Sequence, residues 1–162
     1  MENSAKYLVK IDSCKACLEV VGRATYLNCK PVGEFFDFAQ SRGCDEFFID
    51  FSKCAGMDST FMGMIAGLAL KLAKNGKPGA VSLCSLEGRT LELIENLGLD
   101  SIVKISDCAD FNSGREGLTP NPVSKPEILD AHKNLIEANP ANAKDFQDIV
   151  KFMQKELERG GQ

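Results

Sequence analysis

Asp58, Ser59 and Thr60 are three consecutive oxygen-bearing side chains, set directly before the apolar stretch Phe61 to Leu72. A carboxylate and two hydroxyls at the start of a helix can do two kinds of chemistry. The carboxylate can accept the free N–H of Thr60 or Phe61, which is plain capping. A hydroxyl can also carry an added phosphate, because the free N–H groups and the helix dipole both favour negative charge. On these residues alone, capping is the better reading.

The other candidates are weaker. Cys14 and Cys17 have metal-like spacing, but no second pair or histidine completes a zinc site. Residues three apart on a strand also point to opposite faces. His132, the single histidine, recurs with Ile128, Leu135 and Ile136 at helical spacing and reads as a packed helix residue. Gly56, Gly63 and Gly67 lack the lysine and the spacing of a phosphate-binding loop. Asp50 and Asp58 name no carboxylate pair for acid/base work. No catalytic residue, metal site or cofactor is therefore expected.

The elements that must position the Asp58 turn follow from periodicity. Lys6 to Asp12 and Cys17 to Val21 read as two opening strands. Asn28 is expected to cap a helix with Pro31 in its first turn, ended by Arg42-Gly43. Asp45 to Phe51 reads as a strand, followed by a short turn. Thr60 to Lys74 reads as a helix stopped by Asn75-Gly76. Ala80 to Ser85 is the next strand, Glu87 to Leu97 a helix, and Ser101 to Ile105 short and β-rich. Strands alternating with helices predict an α/β layer structure. Gly114, Gly117, Pro120 and Pro122 mark residues 112–125 as a linker. Beyond it, Ser124 to Glu127 has capping-box spacing, and residues 126–162 read as a helical hairpin with Phe146, Ile149, Val150, Met153 and Leu157 on one face.

With 162 residues and a net charge of −4, the chain does not read as a nucleic-acid binder, which normally presents a basic face. Its longest apolar run, Phe61 to Leu72, falls short of the roughly 20 residues a membrane span needs, so no membrane insertion is expected. No signal peptide is evident. Seven cysteines fit thiols in a reducing, cytoplasmic setting, without disulfides.

Phe48-Ile49-Asp50-Phe51-Ser52 with Met57-Asp58-Ser59-Thr60, the strand at Pro78 to Ser85, and Leu91 to Asp100 ending Leu-Gly-Leu-Asp together resemble the STAS family, shared by anti-sigma factor antagonists and the cytosolic tails of sulphate transporters. The resemblance covers roughly Lys6 to Phe111. It implies a STAS-like mixed β-sheet flanked by helices over residues 1–111, with the linker and helical extension outside it. It also implies an anti-sigma factor antagonist-like module, not an enzyme, that binds a serine kinase doubling as anti-sigma factor. Ser59 matches the phosphoacceptor, with Thr60 as secondary acceptor. Asp50, Ser52, Asp58, Phe61 and Met62 would form the partner-facing surface, and Phe61 departs from the glycine that many antagonists carry there. The alternative is a non-switching STAS scaffold subunit of a transporter or signalling assembly. Self-association is left open.

Overall fold

The structure, a computed structural model, describes residues 5–107 and 116–160. Six strands form one mixed sheet in the order β5-β4-β3-β2-β1-β6. Strand β1 (Ala5–Asp12) turns back antiparallel into β2 (Lys15–Ala24). Next come α1 (Lys30–Ser41), β3 (Glu46–Met57), α2 (Ser59–Lys74) and β4 (Val81–Cys84). Helix α3 (Gly88–Asn96) leads to β5 (Lys104–Ser106). The β2-β3, β3-β4 and β4-β5 pairs are all parallel, so helices must carry the chain back between them. A mixed sheet flanked by helices is the expected architecture.

Alternation along β3 places Phe47, Ile49 and Phe51, all nearly inaccessible, on one face. Helices α1 and α2 cover that face. Phe36 of α1 meets Phe47 edge-on, and Phe61 of α2 lies between Tyr7 and Phe51. Phe61, Ile65, Leu68 and Leu72 supply the sheet-facing stripe of α2 and are all buried.

Three elements differ from expectation. Strand β3 runs on to Met57 through the stretch read as a turn. Register shifts against β2 near Glu19 to Val21 and Gly22 to Arg23 absorb its irregularity. The residue before α1 is Cys29, not Asn28. Asn28 instead takes the Tyr7 hydroxyl and the Thr25 N–H on Oδ1, and donates from Nδ2 to the Arg23 carbonyl. Within the expected linker, Glu116–Leu118 forms β6, antiparallel to β1. Residues 112–115 and the boundary at Phe111 lie outside the described residues. Cys84 is disulfide-bonded, which corrects the expectation that disulfides are absent.

The C-terminal hairpin consists of α4 (Lys125–Ala138) and α5 (Ala143–Gly160). Ser124 and Glu127 form the expected capping box. Leu129, Ala131, His132 and Leu135 are buried. Helix α5 buries Met153 and half-buries Phe146, Val150 and Leu157, with Ile149 39% exposed at the edge of that face. Asn142 ties the turn down, donating to the Leu97 and Leu135 carbonyls at 2.9 and 2.8 Å. Gly98, at φ 69°, leaves room for the Asn139 amide, which an added Cβ would meet at 2.3 Å.

Helix α4 lies directly on α2. A Cβ at Gly63 would sit 2.2 Å from the Ala131 carbonyl oxygen, and one at Gly67 would sit 2.4 Å from Asn134 Nδ2. The two obstacles differ: one is backbone, the other the free end of a side chain. Replacing a helical glycine by alanine gains about 1 kcal/mol of propensity, while overpacking a rigid contact costs about 1–3 kcal/mol. Thermal unfolding should therefore show Gly63→Ala clearly destabilised and Gly67→Ala within about 1 kcal/mol of the parent. Equal losses at both sites would contradict the backbone contact.

Candidate functional site

Asp58 sits between β3 and α2 in extended backbone, φ −103° and ψ 177°, as an N-cap requires. Its Oδ1 accepts the Phe61 N–H at 3.0 Å, one of the two partners expected from sequence. Its Oδ2 accepts the Tyr26 N–H at 2.8 Å, and its own N–H donates to the Ala24 carbonyl at 3.0 Å. One carboxylate thus fixes both the start of α2 and the loop after β2. That loop presents Tyr26 and Leu27, which are 46% and 44% exposed. Sequence reading missed this apolar pair, which carried no motif.

Ser59 is the first residue of α2 and is half-buried. Its Oγ lies 2.8 Å from His132 Nε2, and His132 Nδ1 lies 2.7 Å from the Ile128 carbonyl. His132 is only 4% exposed, and its ring packs against Phe146 with centroids 5.4 Å apart. It is a packed helix residue, as expected. Its contact with the Ser59 hydroxyl joins positions 73 residues apart and left no trace in local spacing.

The remaining predicted residues divide. Asp50 and Ser52 satisfy each other: Asp50 Oδ1 takes the Ser52 N–H and Oδ2 the Ser52 hydroxyl, both at 3.0 Å. Thr60 is buried at 4% exposure, so its hydroxyl is not presented beside Ser59 as a second acceptor. Phe61 and Met62 are likewise interior, at 0% and 3%. Their expected place on a partner-facing surface is corrected: α2 is covered on two sides, and Phe61 points at the sheet. Ser59, Asp58 and Ser52 retain exposure, as does Asp50 in part.

Titration near the site is governed by burial. Burial pushes the Cys29 thiol up to about 12, with the Asp58 charge adding to it, so Cys29 is no thiolate nucleophile at neutral pH. Burial also raises the Tyr7 phenol. Burial acts to raise Glu127 at the start of α4. Hydrogen bonds from Lys30 and from the Ser124 N–H and hydroxyl outweigh it and hold Glu127 below the usual range. The Lys30 ammonium is 2.9 Å away and is itself raised by that bond. Among the described residues, no group of three His, Cys, Asp or Glu side chains could hold a metal ion. No helix of these residues is long and apolar enough to cross a membrane.

The STAS domain family model matches residues 8–110, more than half the chain. Among solved structures, an anti-sigma factor antagonist from Mycobacterium paratuberculosis aligns at 18% identity and TM-score 0.56, over 68% of this chain and 92% of that one. The anti-sigma factor antagonist SpoIIAA in its unphosphorylated form aligns at 11% identity and TM-score 0.53, over 64% and 89%. The Bacillus cell fate determinant SpoIIAA in its phosphorylated form aligns at 13% identity and TM-score 0.51, over 61% and 89%. These identities carry the shared fold. Comparison with curated proteins finds no match.

Two outcomes follow from the hydrogen bonds around Asp58 and Glu127. Asp58→Ala removes the cap and the Tyr26 anchor, so chemical denaturation should show a loss of about 1–2 kcal/mol. A loss within error would mean that the carboxylate holds neither element. Because the folded Glu127 value is depressed, its contribution is present above the unfolded value and disappears as pH falls through the folded one. Acidification through the carboxylate range should therefore weaken the Lys30–Glu127 tie. Hydrogen-exchange protection factors at the start of α4 should fall more steeply with acid in the parent than in Glu127→Gln.

Proposed function

The chain belongs to the STAS domain family, and from that membership we propose that it is a signalling module of the anti-sigma factor antagonist type. It docks on a serine kinase that doubles as an anti-sigma factor, and phosphorylation of Ser59 switches the docking. In this reading the protein is the kinase's substrate rather than a catalyst, and it works in the cytoplasm.

The observation that carries the reading is the position of Ser59. Its hydroxyl stands at the first residue of α2, beside a cap that Asp58 has already formed through Phe61. Thr60, its hydroxyl neighbour, is buried. A phosphate at this point adds about −1.5 to −2 charges. The helix end tolerates that charge, while Asp58 and any acidic or apolar surface docked nearby oppose it. The effect falls on binding and leaves the sheet intact. Tyr26 and Leu27, exposed and held beside Asp58, supply apolar contact area of the kind interfaces use as anchors.

A second reading draws on the same geometry. Ser59 Oγ is engaged by His132, and α4 covers part of α2. A permanently docked scaffold subunit of a transporter or signalling assembly could be built this way, without phosphate. The two readings separate on one measurement. Incubation with the cognate kinase and ATP should add one phosphate, mapped to Ser59 and absent in Ser59→Ala. A pull-down should show Ser59→Asp losing most of its affinity for that kinase. No phosphate on Ser59, together with unchanged affinity of Ser59→Asp, would sink the switching reading and leave the scaffold.

A further inference from the structure

Ser59, Gly63 and Gly67 stand four residues apart and share one face of α2. All three meet α4: Ser59 at His132, Gly63 at Ala131 and Gly67 at Asn134. The Asn134 amide also donates to the Gly63 carbonyl at 3.3 Å, and Lys74 pairs with Glu137 at 3.1 Å further along. The seam admits only the smallest side chains. At its N-terminal end the group in contact is the acceptor hydroxyl.

The direction of that hydrogen bond follows from chemistry. The Ile128 carbonyl can only accept, so His132 Nδ1 carries a proton. In the neutral ring Nε2 is then an acceptor, and the Ser59 hydroxyl is its donor. His132 is buried against Phe146, so water has little access to take the place of a lost donor.

From this seam we infer that the α4–α5 hairpin is a cover latched onto the acceptor helix, and that phosphorylation of Ser59 releases it. The inference rests on Ser59 being the acceptor. The step is phosphoryl transfer from a nucleoside triphosphate. The bond from the γ-phosphorus to the bridging oxygen breaks, the bond from Ser59 Oγ to phosphorus forms, the diphosphate leaves, and the hydroxyl proton passes to solvent. The ester oxygen has no proton to give, so His132 Nε2 loses its donor. The added group also brings three oxygens and a charge of about −1.5 to −2 to the half-buried end of the seam, one turn from Gly63, where the α4 backbone leaves no room for a methyl. A protonated His132 would pull the other way by pairing with the phosphate. Bulk opposes that pairing, because the Gly63–Ala131 contact holds α4 too close to shift around the group while staying on α2. Release would uncover both the α2 stripe and the apolar side of α4, a face other than the one on which the unphosphorylated form docks.

The test uses the full chain with phosphoserine installed at position 59 during translation, which makes it independent of any kinase. Amide hydrogen exchange should accelerate about tenfold or more across 125–138, the scale of one lost buried hydrogen bond, while β2 and β3 stay protected. Unchanged exchange in α4 would overturn the release. Slower exchange would too, since it would mark a phosphate–imidazolium clamp. Acceleration spread through the sheet as well would also overturn it, because that is loss of the fold. Failure of the acceptor reading is seen separately, as absence of phosphate after treatment with kinase and ATP.

Discussion

The Ser59 end of the molecule hangs on the two oxygens of one carboxylate. Asp58 takes the Phe61 N–H on one oxygen and the Tyr26 N–H on the other. Its backbone N–H reaches the Ala24 carbonyl at the end of β2. Hydrogen bonds to an ionised acceptor are stronger than neutral ones, and here one comes from the adjoining helix and the other from a residue 32 positions away. The end of β2, the loop after it and the start of α2 are thereby held in one geometry. Ser59, the next residue, inherits its position from that geometry. The same charge helps keep the neighbouring Cys29 thiol protonated.

Helix α2 is apolar nearly all round, and such helices are buried helices. Its sheet-facing stripe is bulky, with Phe61 set between rings from β1 and β3. The stripe that meets α4 is stripped down to a hydroxyl and two glycines. Each interior glycine costs about 1 kcal/mol relative to alanine. Close backbone approach of α4, with the side chains it buries at Leu129, Ala131 and Leu135, offsets that cost. The hairpin therefore completes the burial of α2.

Much of the fold was legible because local signals agreed with tertiary demand. Asp58 before an apolar run, Asn75-Gly76 after it and the Ser124–Glu127 box each marked a helix end that the structure keeps. Asn28 looked like a cap by type, but its amide is consumed by Tyr7, Thr25 and Arg23, a network no short window reveals. Ser52 to Gly56 looked like a turn by composition, yet parallel pairing with β2 holds it extended despite two irregularities. The family resemblance put Phe61 and Met62 on a partner-facing surface. Helical geometry turns Phe61 inward, since a residue two past Ser59 leaves its face, and Met62 is buried as well. The Ser59–His132 contact could not be read at all, because it depends on how the hairpin docks.

That docking bears on what a partner of α2 would encounter. A partner that needs the face under α4 binds only the fraction of molecules in which the hairpin has lifted, and its apparent affinity falls by that fraction. The hold combines apolar burial with two ion pairs, the half-buried Lys30–Glu127 and the exposed Lys74–Glu137. Exposed pairs contribute about 0–1 kcal/mol each, so most of the hold is packing. Packing is insensitive to chemical state. The hydrogen bond at Ser59 is different, since its donor is the group that a kinase would convert. One such bond, at about 1 kcal/mol net and more when its partner is left buried and unpaired, is enough to move the lifted fraction by about an order of magnitude. Under the proposed phosphorylation, a hydroxyl placed inside the seam would couple the covalent state of one oxygen to the exposure of an entire helix face. An acceptor on the open surface would lack that coupling.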